Sequence, residues 1–407
     1  MEMTPDYLVK QCKSLNARLI EWRRLLHRIP EVGLELPETE AAVRSVLEEL
    51  DVPLQESYRG VGLVAVLEGG KPSGRTVAVR ADMDALAVEE EPGREYGSTH
   101  PGLMHACGHD AHVAIALGAA CFFSQHRQRL PGRVKFIFQP AEESMGGAQR
   151  MLEAGALEDP RADYLLGLHI GDIWPEVGLG QVGVSFKPMM AAADAFEFTM
   201  EAVGGHGAAP HRSPDPVLAA CSAVVQIHTL TGRDIDPLEP AVVTVGQVEG
   251  GSACNIIPAE VHARGTVRTF NETTRKLIES RLAEVVAHTA GSFRCRHRFA
   301  YHRGTHPVRS DPSVAGLVRQ AATDLLGPEG VRLIERPALT GEDVSIFLKE
   351  VPGCFFALGA SNPEKDRVSL HHSPVFDIDE SVLWKGAAVF CLSALRLLGD
   401  SASGRAG

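Results

Sequence analysis

The 407-residue chain lacks the features that mark membrane-spanning, exported and nucleic-acid-binding proteins. It contains no run of about 18 consecutive apolar residues, so no membrane span is expected. The first residues, MEMTPDYLVKQCKSLNARLIEW, lack a basic start followed by an apolar run and predict an amphipathic helix rather than a secretory leader. A formal net charge of −12 disfavours nucleic acid, whose binding depends on neutralising phosphates. We therefore expect a cytoplasmic protein that binds neither nucleic acid nor membrane.

Cysteine is sparse and scattered, and none of the eight forms a CxxC pair. A long chain with this spacing does not predict a disulfide framework and is typical of a reducing compartment. Most of these thiols are expected to be small buried hydrophobic side chains. Cys107 is the exception, because His105, His109 and His112 surround it.

What the chain does contain is a regular alternation of apolar strands and helices. Length alone predicts two or three domains. Strand-like stretches separated by helices predict an α/β fold with a mostly parallel sheet, the strands being GVGLVAVLEGG, RTVAVRADMDAL, GRVKFIFQPAEE and ADYLLGLHI. The pattern resumes late in the chain with GCFFALGA and a last helix.

A second pattern interrupts the first between residues 191 and 305. There the elements run β-α-β-β-α-β, which predicts a small inserted α+β domain with a four-stranded antiparallel sheet and a helix capped by Asn271. The catalytic domain is then discontinuous, comprising residues 1–190 and 306–400. Residues 401–407 are predicted to be a flexible tail.

The stretch MHACGHDAHVAIALGAA places metal-avid side chains at the start of an apolar helix. Cys107 and His109 would diverge on a helix, so they can converge on one ion only in a loop, and Gly108 gives the backbone that freedom. Asp110 is expected to cap a helix beginning at Ala111. The alternative is an ordinary helix start with satisfied polar residues.

Four further segments bring potential ligands to strand ends. The carboxyl ends of parallel strands share one edge of a sheet, where sites form. Thiolate, imidazole and carboxylate together suit zinc or another divalent ion. The residues are Asp82, Asp84, Glu142, Glu143, His169, His371 and His372.

The adjacent pair Glu142–Glu143 favours hydrolytic chemistry. Neighbouring side chains point apart, so one carboxylate can bind metal while the other serves as general base. A solvated acidic loop is the alternative.

Together these motifs resemble the di-metal amidohydrolase family of aminoacylases, hippurate hydrolases and bacterial carboxypeptidases. The branch that they resemble most is that of the hippurate hydrolases and auxin-conjugate (IAA-amino acid) hydrolases. The resemblance covers nearly the whole chain, and the order and spacing of its motifs fit: HRIPEVGLELPET, RADMDAL, MHACGHDAHVA, FQPAEE, GGHGAAPH, NIIPAE, GTVRTF and LHHSPVF.

The resemblance implies a role for each matching residue of the catalytic domain. Glu142 would be the catalytic base, Asp84 would support the site, and Cys107 would bridge two metal ions. Asp82 stands where the wider family has a ligand histidine, so it is a weaker candidate. Matching HSPVF to the branch favours His372 over His371. The implied ligand set is Cys107, His109, Glu143, His169 and His372.

The resemblance also implies that the inserted domain is a lid and a dimerisation domain. His206 would stabilise the oxyanion, within its own subunit or across a dimer. Asn255 and Arg268 would hold the substrate carboxylate, a task that suits a guanidinium group. Without the motif, Arg268 is more simply a structural ion-pair residue. The branch usually has a basic residue just before GGHG, where this chain has Ala202 and Val203.

The expected activity is metal-dependent hydrolysis of the amide bond in N-acyl amino acids or related small conjugates. The expected cofactor is a pair of Zn²⁺ or Mn²⁺ ions per subunit, and the expected assembly is a homodimer. Three alternatives remain: a dipeptidase or carboxypeptidase using the same site, a hydrolase with Cys107 as nucleophile and His109 as base, and a non-catalytic ligand-binding protein.

Overall fold

The computed structural model describes residues 3–58, 60–71, 74–144, 146–365 and 370–399. The predicted tail, 401–407, lies outside these residues. The chain divides into two compact units. Unit 1 comprises Met1–Met189, Val308–Ala338 and Asp343–Gly407, and unit 2 comprises Met190–Pro307 and Leu339–Glu342.

Helices and strands are numbered along the chain. The first part of unit 1 contains α1 (Pro5–His27), α2 (Pro37–Glu49), β1 (Leu63–Glu68), β2 (Thr76–Asp82), α3 (His109–Gln125), β3 (Arg133–Gln139), α4 (Gly147–Glu153), β4 (Tyr164–Ile170) and β5 (Val182–Val184). Unit 2 contains β6 (Ala192–Glu201), β7 (Gly205–His206), α5 (Pro216–Ile227), α6 (Leu230–Arg233), β8 (Ala241–Gly250), β9 (Ile256–Ile257), β10 (Glu260–Thr269), α7 (Glu272–Ser292) and β11 (Arg296–His302). The last part of unit 1 contains α8 (Pro312–Leu326), β12 (Val331–Leu333), α9 (Val344–Glu350), β13 (Gly353–Leu358) and α10 (Leu383–Gly399).

Unit 1 is built on a seven-stranded sheet in the order β1-β3-β2-β4-β13-β5-β12. The central strands β3, β2, β4 and β13 are mutually parallel, whereas β1 and β5 join them antiparallel. The predicted α/β fold with a mostly parallel sheet is therefore confirmed. Because β2, β3 and β4 run in one direction, their carboxyl ends lie at the same edge of the sheet.

Helix α3 is buried along nearly its whole length, from His109 to Phe123. Its apolar run, VAIALGAACFF, has no polar face, which is typical of a helix enclosed by other elements. It packs against α1, α10 and β2. The N-terminus of α3 is thereby fixed in the interior of unit 1.

Helix α10 is the one described helix that is long and apolar enough to cross a membrane. The segment Glu380–Gly399 has a mean hydropathy of 1.5, and 78% of it is buried inside the fold. Burial of this extent is what the core helix of a folded domain shows, and α10 contacts α1, α3 and α8.

Unit 2 contains a four-stranded antiparallel sheet in the order β11-β6-β10-β8, as predicted from the β-α-β-β-α-β pattern. Its core lies between this sheet and helices α5 and α7. Helix α7 begins where the sequence predicts, because the side chain of Asn271 accepts a hydrogen bond from the backbone N–H of Thr274 at 2.8 Å. Strand β8 stands at one edge of the sheet.

Candidate metal centre

Asp84 joins two of the strand ends that carry potential ligands. It follows β2 and is buried, and its carboxylate accepts the backbone N–H groups of Glu142 at 2.9 Å and Glu143 at 3.1 Å. Both glutamates follow β3. The hydrogen bonds to Asp84 therefore fix the Glu142–Glu143 turn against the end of β2.

His109 presents one ring nitrogen to this turn. Its Nδ1–H donates to the backbone carbonyl of Asp84 at 2.8 Å, which leaves Nε2 as the nitrogen that faces the two glutamates. Nε2 lies 3.9 Å from Oε1 of Glu143 and 4.0 Å from Oε2 of Glu142. Both Nε2 of His109 and Oε1 of Glu143 are buried and have no hydrogen-bond partner among the described residues.

Cys107 lies at the centre of the cluster. Its Sγ is 3.6 Å from Nε2 of His169, near the end of β4, and 3.6 Å from Nδ1 of His371. His169 donates its Nδ1–H to the carbonyl of Ile170 at 2.9 Å, so its Nε2 also presents a lone pair. His372 approaches Glu143 from the other side, with Nε2 and Oε2 3.4 Å apart.

Two groups of three potential ligand atoms share the Cys107 thiol. One group is Cys107, His109 and His169, and the other is Cys107, Glu143 and His372; within each group the atoms lie within 4.8 Å of one another. A shared sulfur with two distinct sets of partners is the arrangement in which a thiolate can bridge two cations. All five residues expected as ligands from the sequence are therefore brought together.

Glu142 lies beside these groups and is nearly buried, with 6% of its surface exposed. One of its carboxylate oxygens lies within 4.8 Å of ligand atoms of His109 and Glu143. The carboxylate thus borders both groups while belonging to neither of the two that share Cys107.

The electrostatics of the cluster favour a neutral His169 and a protonated thiol. Burial, with the neighbouring His112 and His371, lowers the pKa of His169 well below its usual value. Burial, with the charge of Glu143, raises the pKa of the Cys107 thiol well above its usual value. Neutral imidazole is the form that binds a cation, and only a strong positive charge next to the sulfur would make it a thiolate.

The N-terminus of α3 differs from the sequence prediction. The helix begins at His109 with Gly108 as its N-cap residue, so Asp110 lies within the first turn, where its Oδ1 accepts the backbone N–H of Ala111 at 2.9 Å. Its other oxygen, Oδ2, accepts a hydrogen bond from His27 at 2.7 Å and pairs with Arg23 at 2.8 Å. The two oxygens therefore serve different partners, one a backbone N–H of the first turn and the other the buried guanidinium of Arg23 and the ring of His27.

The residues expected to bind substrate lie in unit 2. β7 and β9 pair so that His206 faces Ile256, and the backbone N–H of Gly207 donates to the carbonyl of Asn255 at 2.8 Å. His206 and Asn255 are therefore neighbours on one small exposed ribbon. Arg268 lies on β10 and is partly buried, and burial lowers the pKa of its guanidinium.

Two histidines of the site were not assigned a role from the sequence. His371 is partly buried and lies against Cys107 and His169, although it precedes the histidine expected as ligand. His112 lies one turn after His109 on α3 and contacts Asp82. A spacing of three residues on a helix places His112 beside His109, so the sequence did carry information about it.

The chain is similar to a family model and to several known proteins. Residues 78–396 match the model of peptidase family M20/M25/M40. The chain is 36% identical to the N-acetyl-L-cysteine deacetylase of Bacillus subtilis, covering 95% of this chain and 89% of that protein. It is also 36% identical to IAA-amino acid hydrolase ILR1-like 4 of Arabidopsis thaliana, covering 92% and 84%. Thermostable carboxypeptidase 2 of Saccharolobus solfataricus is 35% identical over 96% and 98% of the two chains.

The chain is also similar to solved structures over nearly its whole length. An aminohydrolase from methicillin-resistant Staphylococcus aureus superimposes with a TM-score of 0.90 at 31% identity, covering 96% of this chain and 99% of that one. A dinuclear metal-binding M20 peptidase from Bacillus subtilis superimposes with a TM-score of 0.81 at 30% identity, covering 95% and 99%. The chain therefore belongs to peptidase family M20/M25/M40, whose metal-dependent hydrolases act on amide and peptide bonds.

Proposed function

We propose that this protein hydrolyses the amide bond of N-acyl amino acids or related small conjugates. The observation that carries the proposal is the pair of ligand groups sharing Cys107, with the carboxylate of Glu142 beside them. The curated relatives support the substrate class, since one is named as a deacetylase of N-acetyl-L-cysteine and another as a hydrolase of IAA-amino acids.

The buried donors fit a pair of divalent cations. Nε2 of His109 and Oε1 of Glu143 are desolvated without a hydrogen bond, which costs about 1–3 kcal/mol for each such group. Thiolate, imidazole and carboxylate suit zinc, and carboxylate also suits manganese. When bound, such cations supply Lewis acidity, which polarises a carbonyl and lowers the pKa of water to about 7. We assign the ions to Cys107, His109, Glu143, His169 and His372.

Glu142 is proposed as the general base. Its carboxylate takes a proton from the attacking water and returns it to the leaving amine, which balances the hydrolysis. On unit 2, His206 is proposed to stabilise the oxyanion, and Asn255 with Arg268 to bind the substrate carboxylate. The hydrogen bond from the backbone N–H of Ala208 occupies Nδ1 of His206, so Nε2 is the nitrogen that faces outward.

A carboxypeptidase or dipeptidase activity at the same site is the second candidate. It is supported by the 35% identity to a thermostable carboxypeptidase. Paired substrates that differ only in acylation of the amino group separate the two activities. Faster cleavage of the acylated member supports the amidohydrolase, and faster cleavage of the free amine supports the peptidase.

A mechanism with Cys107 as nucleophile is disfavoured. Burial and the nearby Glu143 raise the pKa of its thiol, whereas a nucleophilic cysteine needs a lowered pKa. Such a mechanism also leaves His169, His372 and the Glu142–Glu143 pair without a task.

We further propose a cytoplasmic homodimer formed through unit 2. The support for the compartment is that all eight cysteines are free thiols. The support for the dimer is that β8 is an edge strand and that unit 2 exposes several apolar side chains, namely Val217, Leu218 and Val225 on α5 and Val248 on β8. An exposed edge strand is a ready template for pairing with a second copy.

The first test measures amine release from a panel of N-benzoylglycine, N-acetyl amino acids and indole-acetyl conjugates. The protein is assayed after chelation and again after Mn²⁺ or Zn²⁺ is added back. We expect chelation to abolish turnover and metal to restore it. Turnover that persists after metal analysis has shown complete removal would contradict the proposal, and so would failure of every substrate with either ion.

The second test replaces the proposed base. Glu142→Gln keeps the shape of the side chain but cannot accept a proton, so kcat is expected to fall roughly 100- to 10,000-fold while metal content stays at the wild-type level. Glu153→Gln, an exposed change on the neighbouring helix α4, serves as the matched control and is expected to leave kcat unchanged. Wild-type turnover by Glu142→Gln would exclude Glu142 as the base.

A further inference from the structure

A buried pair, Asp82 and His112, lies behind two of the proposed metal ligands. We propose that His112, anchored by Asp82, is a positioning residue that holds His169 and His109 in the geometry that binds cations. This inference rests on the proposed function, because it concerns the same metal centre. His112 on α3 and Asp82 on β2 take no direct part in the proposed hydrolysis.

The hydrogen bonds of His112 define its tautomer. Its Nε2 accepts the backbone N–H of Ile170 at 2.9 Å, so this nitrogen carries no proton. The other nitrogen, Nδ1, therefore carries the proton and donates it to Oδ1 of Asp82 at 2.5 Å. Both ring nitrogens of a fully buried imidazole are thus satisfied, one by each neighbouring strand.

Asp82 is itself held by a buried guanidinium. Nη1 of Arg80 lies 2.8 Å from Oδ2 of Asp82, and the same guanidinium bonds to Gln139 at 2.8 Å and to Asp343 at 2.9 Å. These side chains are almost fully buried, so their polar atoms must find partners within the protein rather than in water. Asp82 is thereby a rigid acceptor that permits one orientation of the His112 ring.

His112 supplies a hydrogen-bond acceptor at the end of β4, beyond the point where β4 pairs with β2. Strands β2 and β4 pair from Val77–Tyr164 to Val79–Leu166, and that pairing ends before Ile170. On this side, the imidazole of His112 takes the place of a strand carbonyl and accepts the N–H of Ile170. Since Ile170 directly follows His169, the backbone of the ligand is fixed by this contact.

The ring of His112 also confines the rings of both ligands. Its centroid lies 4.8 Å from that of His169 at an interplanar angle of 76°, and 5.3 Å from that of His109 at 31°. His169 therefore makes an edge-to-face contact with a ring that is hydrogen-bonded at both nitrogens. His109 lies against the same ring from the preceding turn of α3.

The same residues do not form a third cation site of their own. Asp82, His109 and His112 have ligand atoms within 4.8 Å of one another. However, the lone pair of Nε2 in His112 is taken by the Ile170 N–H, and its Nδ1 bears a proton. Asp82 is occupied by Arg80 and His112. The arrangement therefore supports ligands rather than binding an ion.

The test removes the hydrogen bonds of His112 while keeping a ring in its place. In His112→Phe, the affinity of the apo protein for Zn²⁺, measured by competition with a chromophoric chelator, is expected to fall roughly 10- to 100-fold, as it does when residues supporting metal ligands are lost. The Co²⁺-loaded variant should also show an altered thiolate-to-metal absorption band. The matched control is His126→Phe at the C-terminal end of the same helix, where His126 bonds Tyr7 and stacks on Phe122.

A conservative variant separates positioning from general destabilisation. His112→Gln supplies one acceptor and one donor in place of the imidazole, so it should restore most of the lost affinity. We expect His126→Phe to bind Zn²⁺ as the wild type does, whatever its effect on stability. Equal loss of affinity in His112→Phe and His126→Phe would contradict the proposal, as would wild-type affinity in His112→Phe.

A measurement on the wild type covers the case in which His112→Phe does not fold. Long-range ¹H–¹⁵N correlation on ¹⁵N-histidine-labelled protein should show His112, assigned with the Gln variant, protonated at Nδ1. Protonation at Nε2 would overturn the proposal. Failure of the wild type to bind Zn²⁺ or Co²⁺ at all would instead reject the metal centre of the proposed function, together with the inference that rests on it.

Discussion

At the scale of a single residue, Gly108 is what allows Cys107 and His109 to converge. Its φ is +86°, in the left-handed region, and a Cβ there would lie 2.6 Å from Cγ2 of Ile170. Gly108→Ala is expected to lower the free energy of unfolding by at least about 1–2 kcal/mol from the backbone conformation alone. Because the clash displaces the ligand loop, bound metal should fall as well. Urea unfolding and metal analysis measure the two effects.

The same chemical change at Gly316 provides the control for this prediction. Gly316 lies inside helix α8, and a Cβ there meets no atom within 4 Å. Gly316→Ala is therefore expected to raise the free energy of unfolding by about 0.5–1 kcal/mol. If Gly108→Ala behaves like Gly316→Ala and retains its metal, the loop does not depend on glycine.

Single residues of the site could be predicted where the covalent spacing restricts them. Cys107 and His109, two residues apart with a glycine between, cannot share an ion from within one helix, and the structure places Cys107 before α3 and His109 at its first residue. Asp110 does accept the N–H of Ala111, but the predicted helix start at Ala111 was wrong, and its second partner, Arg23, lies too far away in the sequence to be predicted. The choice between His371 and His372 follows only from a resemblance, since both side chains of the structure approach the cluster.

At the scale of an element, the strand ends were predictable and the strand order was not. Apolar runs that end in acidic or histidine residues identify β2, β3 and β4, and parallel strands share a carboxyl edge. The sequence did not indicate that β1 joins β3 antiparallel or that β5 and β12 extend the sheet. Pairing between distant strands depends on contacts that no local pattern encodes.

The edge strand β8 is the element through which we expect two copies of the chain to pair. Val248 is 48% exposed on this edge strand, and a charge there should oppose pairing with a second copy. Val248→Lys is expected to convert a dimer to a monomer in light scattering coupled to size exclusion. Leu238→Lys, 89% exposed in the loop after α6, should leave the dimer intact. A monomeric wild type, or a dimeric Val248→Lys, would contradict assembly through β8.

At the scale of the whole molecule, a buried charge cluster ties distant parts of unit 1 together. Arg23 on α1 is fully buried and pairs with Asp110 at 2.8 Å, Asp377 at 3.2 Å and Glu380 at 3.2 Å. The N-terminal helix, the start of α3 and the segment before α10 thus share one guanidinium. Removing one partner of such a cluster costs about 3–5 kcal/mol, because it leaves another buried charge without compensation.

His27 makes the stability of this cluster depend on pH. It is buried between Asp110 at 2.7 Å and Glu90 at 3.3 Å. Burial and the charge of Arg23 oppose a charged imidazole, but the two carboxylates outweigh them and raise the pKa of His27. The carboxylates respond in the opposite direction, since His27 and other donors lower the pKa of Glu90 to about 2 despite its burial.

The directions of these two pKa shifts predict how the contribution of His27 to stability depends on pH. The contribution of His27 is complete below its unfolded pKa of about 6.5 and is lost as the pH rises through the folded value. The contribution of Glu90 is complete above about 4.3 and is lost as the pH falls toward 2. We therefore expect the difference in unfolding free energy between wild type and His27→Gln to be largest near pH 5–6, between the two unfolded pKa values, and to shrink toward pH 9.

Urea unfolding with chelator present at every pH measures this difference without a contribution from metal release. The control is His302→Gln, a change at an exposed histidine. A difference that grows as the pH rises would show that His27 is held neutral.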